Sequence, residues 1–279
     1  MIPIALAVAL LQYFGIIAFI ADYLNPIFQY LGLPGSSAVM FITGAAAGTY
    51  AGISTMMSIH LTLRQATIIG LMIALCHALP MECSVNKKTG SSFWQMGVIR
   101  IIMAFACAIF LNTVLPKMDE EYLYIGAETN SNFADVINTW VISQVKVAFM
   151  VFLIIYVLMI VQRLMEVYSL LPLISKYLAP LMRVFGLPRE AAYMWLVGNV
   201  LGISYGSAVM LELQDKGLVT KEDANDVNFH LIMNHSMLED TIVFATTGIS
   251  VFWILFTRFL FAFILVWLRK AFMLMKTNK

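Results

Sequence analysis

The sequence contains one unit twice, and this duplication constrains the fold more than any other feature. Tyr23–Met56 aligns without gaps on Tyr177–Met210 at an offset of 154 residues, and twelve of the 34 aligned positions are identical. The second copy then has four additional residues, after which Cys76–Gly90 aligns on Asn234–Gly248 at an offset of 158. A long internal repeat is one structural unit used twice, so the copies are expected to share an order of elements.

The hydropathy of both copies places them in a lipid bilayer. Hydrophobic residues make up 61% of the 279 residues and charged residues only 12%, whereas soluble domains carry about 25% charged residues. The apolar runs approach the ~20 residues that a helix needs to cross the hydrocarbon core, and they are too long for the strands of a β-barrel. We therefore predict an all-α integral membrane protein that does not bind nucleic acid. The runs are Ala5–Ile20, Ile101–Val114, Val147–Val161 and Val251–Leu268.

The glycine-punctuated segments 36–60 and 190–214 decide the number of crossings. If both segments cross the membrane, the Lys and Arg residues divide about 9 to 7 between its two sides. If each segment is a re-entrant helical hairpin, the second copy is inverted and the division is 13 to 3. The positive-inside bias favours the second arrangement. The thirteen residues on the predicted cytoplasmic side are Lys87, Lys88, Arg100, Arg163, Lys176, Arg183, Arg189, Lys216, Lys221, Arg269, Lys270, Lys276 and Lys279, with Arg64, Lys117 and Lys146 opposite.

The predicted fold is therefore an inverted-topology repeat with six transmembrane crossings and two re-entrant hairpins. Residues 1–125 form the first copy and residues 126–279 the second, and both termini are expected in the cytoplasm. Each copy is expected to contain a transmembrane helix, an interfacial helix, the hairpin, a transmembrane helix broken by polar residues and a final transmembrane helix.

Three glycines, spaced by four residues, punctuate each hairpin segment. Small residues at this spacing allow helices to pack closely. Glycine also permits chain reversal, and a reversed backbone inside the membrane is tolerated where it lines a cavity or a bound solute. Both roles are compatible, and the second places Thr49, Tyr50, Ser204 and Tyr205 at the hairpin tips. The glycines are Gly44, Gly48 and Gly52 in the first copy and Gly198, Gly202 and Gly206 in the second.

Ionisable side chains interrupt the broken helix of each copy at matching positions. His77 aligns with His235, and Glu82 aligns with Asp240. Ionisable residues inside membrane spans are costly and mark pathways or binding sites. Pro80 is expected to break the first of these helices, which would let His77 and Glu82 face one cavity.

In the second copy, Asn234, His235, Glu239 and Asp240 lie at the same depth, and His235 and Glu239 are predicted on one helical face. We predict that His77, Glu82, His235 and Asp240 form a solute or cation site. The other predicted substrate-binding residues are Asn234 and Glu239 and, from the hairpin tips, Thr49, Tyr50, Ser204 and Tyr205. A structural hydrogen-bond network is the alternative.

The chemistry of this set leaves the bound species open. Two histidines and two carboxylates suit a transition metal, and the same groups suit a proton relay because histidine titrates near neutral pH. A bound Na⁺ is a further alternative. Arg258, inside the last span, either pairs with a carboxylate or extends to the membrane surface.

The segments Gly32–Gly52 and Cys76–Gly90, with their counterparts Gly186–Gly206 and Asn234–Gly248, resemble the Gate-domain or nucleoside-recognition family. This family includes spore-maturation membrane proteins and the membrane part of ferrous-iron transporter B, and it is related in architecture to concentrative nucleoside transporters. The resemblance implies a transporter-like membrane core with the substrate near the midplane, between hairpin tips and interrupted helices.

The leading hypothesis is a secondary transporter in the cytoplasmic (inner) membrane. It would bind a small polar solute or a cation, nucleoside-like or a divalent metal, at the interface of the repeats, and couple transport to H⁺ or Na⁺. The alternative is a non-transporting assembly component that binds a partner protein, and a homo-oligomer is compatible with both. An enzyme is not expected, because the sequence has no His-Glu-x-x-His motif and no nucleophile beside a base.

Overall fold

The computed structural model describes residues 2–124 and 132–277. Within these ranges the chain is helical, with one isolated bridge between Thr62 and Glu121. The predicted all-α class is therefore confirmed. The predicted boundary between the two copies, at residues 125 and 126, lies outside the described residues.

The described residues of the two copies form corresponding series of seven α-helices. In the first copy these are α1 (Ile2–Tyr13), α2 (Ile16–Gln29), α3 (Ser37–Ala47), α4 (Thr49–Met56), α5 (Leu63–Cys76), α6 (Leu79–Lys88) and α7 (Phe93–Val114). In the second they are α8 (Phe133–Val167), α9 (Leu170–Met182), α10 (Ala192–Val200), α11 (Ile203–Asp215), α12 (Lys221–Asn234), α13 (Met237–Thr246) and α14 (Val251–Thr277).

The helix boundaries repeat at the offsets of the sequence alignment. Helices α5 and α12 begin and end at positions that differ by 158 residues, and so do α6 and α13. The same capping box begins both α5 and α12: Thr62 pairs with Gln65, and Thr220 pairs with Asp223. A capping box satisfies two backbone N–H groups that have no partner within the helix, so it fixes the start of the helix.

The predicted interfacial segments form helices α2 and α9, each after a sharp change of direction. Gly15 (φ 73°) separates α1 from α2, whose axes differ by 86°. Ser169 (φ 50°) lies at the corresponding position before α9. Left-handed backbone ends a helix, so these residues set where α2 and α9 begin.

The helices belong to two compact units, and each unit draws on both copies. The first contains residues 1–79, 102–155 and 241–254, and the second contains residues 80–101, 156–240 and 255–279. Each unit therefore combines the hairpin of one copy with the helix that follows the break in the other. The first has α3, α4 and residues 241–246 of α13, and the second has α10, α11 and residues 80–88 of α6.

In the first unit, α3 and α4 form a hairpin that reverses at Gly48, where φ is 101°. This conformation is available almost exclusively to glycine. A Cβ on Gly52 would lie 3.1 Å from the Cα of Gly44, and one on Gly44 would lie 2.8 Å from Ile73 of α5. Gly48 is therefore the turning residue, while Gly44 and Gly52 allow close packing.

The second unit repeats this hairpin with α10 and α11. The chain reverses at Gly202, where φ is 94°. A Cβ on Gly206 would lie 2.8 Å from the Cα of Gly198, and one on Gly198 would lie 2.5 Å from Leu231 of α12. Helices of 9 to 13 residues are about 14 to 20 Å long, which is shorter than a ~30 Å hydrocarbon core.

Among the described residues, four helical stretches are long and apolar enough to cross a membrane: Leu63–Lys88, Phe93–Val114, Phe133–Val167 and Val251–Met275. The bent pair Leu6–Tyr13 and Ile16–Gln29 makes a fifth if it is one span. The span predicted at α12 and α13 is not among them, since α12 is polar and has Glu222 and Asp223 in its first turn. Six crossings and an inverted second copy therefore stay predictions.

Candidate functional site

In each copy a helix breaks directly after a histidine. Helix α5 ends at Cys76, His77 is extended (φ −75°, ψ 159°), and Ala78 has a φ of 45° before α6 begins. His235 (φ −64°, ψ 164°) and Ser236 (φ 49°) repeat this geometry between α12 and α13. Residues other than glycine rarely adopt positive φ, so the break is maintained by the structure around it.

Each break is hydrogen-bonded to the hairpin of the same copy. The N–H of Ala78 donates to the carbonyl of Gly44 at 3.0 Å. The N–H of Ser236 donates to the carbonyl of Gly198 at 3.1 Å. Because a side chain on either glycine would collide with the broken helix, close packing is what brings the two backbones into hydrogen-bonding range.

The helix breaks near the predicted position, but Pro80 is not the cause. Pro80 lies in the first turn of α6, where the absence of an N–H costs no helical hydrogen bond. The second copy has Leu238 at the matching position and breaks in the same way. The break also separates His235 from Glu239, which lies in α13, so the prediction of one shared helical face was wrong.

Each copy also provides a buried ion pair between the helix after the break and the last helix. Arg100 of α7 donates to Glu82 of α6, and Arg258 of α14 donates to Asp240 of α13 at 2.8 Å. In both pairs the arginine side chain is 0% exposed and the carboxylate side chain is 5% exposed. The two members are 18 residues apart in both copies. Arg258 therefore pairs with a carboxylate, which was one of its two predicted roles.

The second unit contains both ion pairs, and His235 connects them. The Nε2 of His235 lies 3.1 Å from Oε1 of Glu82. The guanidinium of Arg258 donates to the carbonyl of His235 at 2.5 Å. We call these five residues the charge cluster: Glu82, Arg100, His235, Asp240 and Arg258.

The hydrogen-bond partners of His235 indicate which of its ring nitrogens carries a hydrogen. Its Nδ1 lies 2.8 Å from the carbonyl of Leu231, which only accepts, so Nδ1 carries a hydrogen. The contact between Nε2 and Glu82 then requires one more proton, on the imidazole or on the carboxyl group. With that proton the charge cluster carries one net positive charge, and without it the two guanidinium groups balance the two carboxylates.

The other predicted site residues are distributed as follows. His77 lies in the first unit, where its Nδ1 contacts the carbonyls of Ala74 at 3.1 Å and Ile73 at 3.3 Å. Thr49 is buried and Tyr50 half-buried at the start of α4, also in the first unit. In the second unit, Glu239 is half-buried, and Ser204 and Tyr205 are exposed at the start of α11.

Asn234 belongs to a second buried group, built around His230. The indole N–H of Trp195 donates to Nδ1 of His230 at 3.0 Å, so this nitrogen is unprotonated. The Oδ1 of Asn234 lies 3.1 Å from the same nitrogen. The ring of Phe185 lies 4.9 Å from that of His230. His230 is therefore held as a neutral tautomer in aromatic surroundings.

Sequence reasoning missed Arg100 and His230 as interior residues. The sequence places Arg100 with the cations of the predicted cytoplasmic side, but its side chain is completely buried and paired with Glu82. The sequence does contain a pattern that identifies Arg100: in both copies an arginine follows the acidic residue by 18 residues. His230 has Met72 as its counterpart, and no repeated pattern identifies it.

The prediction of a metal site from His77, Glu82, His235 and Asp240 stays a prediction. The charge cluster bears on it through electrostatics: a cation bound by Glu82 or Asp240 would share its carboxylate ligand with a guanidinium group. Such a site would require either arginine to move or the cation to be weakly held.

The chain is similar to known proteins over most of its length. The family model Gate, described as nucleoside recognition, matches residues 1–91. The resemblance to the Gate family is confirmed over those residues. The chain is also 26% identical over 264 residues to the uncharacterized membrane protein YvoD of Bacillus subtilis (strain 168), covering 92% of this chain and 83% of that protein. No solved structure matches the chain. The chain thus has a Gate-like segment at residues 1–91, and over most of its length it is similar to a membrane protein.

Proposed function

We propose that this protein is a secondary transporter of the cytoplasmic membrane, and that its charge cluster binds a small polar solute or a cation near the midplane. Transport would be coupled to H⁺ or Na⁺. The observation that carries the proposal is the connection of two buried ion pairs, one from each copy, through the histidine at a helix break.

The cost of this arrangement supports a functional role. Each ion buried in a low-dielectric interior has lost several kcal/mol of hydration, and the charge cluster holds four ionised groups. Apolar side chains of similar volume would pack the same helices at a lower cost. Two helices are also interrupted at the histidines. Inverted-repeat carriers place their substrates at such interrupted helices.

The charge balance indicates which solutes suit the charge cluster. Because each carboxylate is compensated by an arginine, a neutral solute with several hydrogen-bonding groups binds without upsetting the balance. A nucleoside-like compound has this character. The proton between Glu82 and His235 provides a position for H⁺ coupling, since it can be released without removing either ion pair.

The first experiment is a thermal-shift screen of the purified protein with nucleosides, organic anions and divalent cations. A ligand at 100 times its Kd stabilises the folded state by about 2.7 kcal/mol, which raises Tm measurably. We expect a stabilising compound, and we expect proteoliposomes to take it up. The absence of both stabilisation and uptake across the three classes would contradict the proposal and favour the assembly-component alternative.

The second experiment uses a double variant, Glu82→Gln with Arg100→Gln, which removes one ion pair without leaving an uncompensated charge. We expect it to fold and to lose the ligand-induced shift. The control is Asp226→Asn with Arg269→Gln, because Arg269 and Asp226 form a more exposed ion pair in the same unit, at 2.8 Å. Retention of the full shift by the first double variant would contradict binding at the charge cluster.

A further inference from the structure

Polar side chains continue from the charge cluster along the contact between α6 and α12. Glu82, near the start of α6, meets His235, just after the end of α12. Thr89 and Ser91, just after α6, meet Asn228 in the middle of α12. The two helices therefore run in opposite directions with polar groups facing each other. We call this set the polar column: Glu82, Asn86, Thr89, Ser91, Asn225, Asn228 and His235.

Asn86 occupies the middle of the polar column. It lies one helical turn after Glu82 and three residues before Thr89, which places it on the same face of α6 as Glu82. Its side chain is 0% exposed, and neither its Oδ1 nor its Nδ2 has a hydrogen-bond partner among the described residues. A buried amide with no partner at either end is costly, so a group outside the protein is needed to satisfy it.

Asn228, further along the polar column, also has an amide atom without a hydrogen-bond partner among the described residues. Its Nδ2 donates to Oγ1 of Thr89 at 2.7 Å and to Oγ of Ser91 at 2.8 Å. Its Oδ1 has no partner within the described part of the chain, although the residue is 0% exposed. Three orphaned amide atoms are thus available to bind water, which needs two to four polar partners in a buried position.

The outer end of the polar column reaches solvent. Ser91 donates to Oδ1 of Asn225 at 2.7 Å, and Asn225 is half-buried. Lys87 and Lys88, at the end of α6, are exposed. The side chains therefore form a graded series from the exposed end of α6 to the fully buried charge cluster.

The two amides with unsatisfied atoms, Asn86 and Asn228, are not part of the repeated scaffold. The counterpart of Asn86 is Phe244, and the counterpart of Asn228 is Gly70. The repeated fold therefore does not require these amides, and their presence at one contact only needs a separate explanation.

We propose that the polar column is a hydrated path. Water bound at Asn86 and Asn228 connects the charge cluster with the side of the membrane that bears Lys87 and Lys88. Its existence does not depend on which solute the protein carries. Where the proposed function holds, this path is the route by which water, protons or a small solute reach Glu82 and His235 from that side.

The test is the accessibility of single introduced cysteines to a small, membrane-impermeant, cationic methanethiosulfonate reagent in proteoliposomes. Peptide mass spectrometry locates each adduct, so the native Cys76, Cys83 and Cys107 need not be replaced, and the wild-type protein gives the baseline. Lys88→Cys is the exposed reference. Ile232→Cys, on α12, is the buried apolar reference, since Ile232 is 0% exposed.

We expect Asn86→Cys and Asn228→Cys to react at least tenfold faster than Ile232→Cys when the reagent is on the side where Lys88→Cys reacts. Equal and slow reaction at positions 86, 228 and 232, with fast reaction at position 88, would overturn the proposal. Because the reagent reports water and not solute, this outcome is independent of the ligand screen.

A second variant keeps the proposal falsifiable if the cysteine proteins do not fold. Asn86→Leu replaces the amide with an apolar group of similar volume. If water satisfies the amide, Tm is expected to stay the same or fall. A rise in Tm by several degrees would show that the amide is dry and unpaired in the wild-type protein, and would overturn the hydrated path.

Discussion

The two copies of the repeat have the same backbone features but differ in the side chains in their interiors. Both have a glycine at the hairpin turn, a capping box at the start of the broken helix, an extended histidine at the break and a buried ion pair 18 residues apart. The interiors of α5 and α12 diverge. Where α12 has Asn228, His230 and Asn234, α5 has Gly70, Met72 and Cys76.

This difference distinguishes residues that the shared fold requires from residues that are present in one copy for another reason. A feature present in both copies follows from the backbone geometry, since both copies need the same turn and the same break. A polar group present in only one copy is not required by that geometry. The proposed solute site therefore lies in the second unit, which contains the unrepeated amides and both ion pairs.

The largest expected effect tests the equivalence of the two ion pairs. Glu82→Gln and Asp240→Asn each leave a fully buried arginine without its carboxylate, so each is expected to cost about 3–5 kcal/mol of unfolding free energy. Reversible unfolding in mixed detergent micelles measures this. Asp226→Asn is the control, because its pair is partly exposed and is expected to cost about 1 kcal/mol or less. If either Glu82→Gln or Asp240→Asn lost less unfolding free energy than Asp226→Asn, the two buried ion pairs would not be equivalent.

The next effect concerns the hairpin glycines. Gly206→Ala and Gly52→Ala place a Cβ 2.8 Å and 3.1 Å from backbone Cα atoms, so overpacking is expected to cost about 1–3 kcal/mol, with Gly206 the more sensitive. Thermal unfolding checks the order. The matched control is Gly97→Ala, where the nearest atom is the Sγ of Cys83 at 3.7 Å, and there we expect no loss. Equal tolerance at all three positions would contradict close hairpin packing.

Capping is expected to have a smaller effect that is the same in both copies. Thr62→Ala and Thr220→Ala each remove the side chain that accepts from the N–H three residues later. The expected cost is about 1 kcal/mol each. Thr113→Ala, at an exposed position near the end of α7, is expected to be neutral. Hydrogen exchange at the first turns of α5 and α12 would locate the change, and an effect at only one of them would break the comparison.

The smallest effect has the opposite sign. Ala78→Gly and Ser236→Gly place glycine at a positive φ, which relieves strain of about 1–2 kcal/mol but increases the entropy of the unfolded chain. A net gain of about 0.5 kcal/mol is expected at both breaks. Ala74→Gly, inside α5, should instead lose about 1 kcal/mol. Destabilisation at both breaks would show that their backbone is unstrained.

Much of the fold could be predicted because the repeat supplied two independent examples of each feature. The hairpin turns at Gly48 and Gly202 and the break near His77 and His235 follow from aligned residues with clear backbone preferences. The cause of the break could not be read locally, since Pro80 offered a plausible reason that the second copy lacks. The breaks depend on backbone hydrogen bonds to Gly44 and Gly198, which are 34 and 38 residues distant.

The candidate site was predicted in part for a related reason. Burial of His235, Glu82 and Asp240 follows from hydropathy, but the partners of a buried charge depend on three-dimensional packing. Arg100 near the end of an apolar segment has the pattern of a membrane-flanking cation, and only its contact with Glu82 reveals its role. The hairpin-tip residue Tyr205 is 59% exposed, so its predicted part in binding stays a prediction.

The most direct test of solute binding at the charge cluster is ¹⁵N NMR of the histidine-labelled protein with and without the stabilising compound. The chain has four histidines, so His→Gln variants assign every signal. We predict that the compound shifts the His235 signal and leaves the exposed His60 unchanged. Saturating compound that leaves His235 unchanged while another histidine responds would contradict the account.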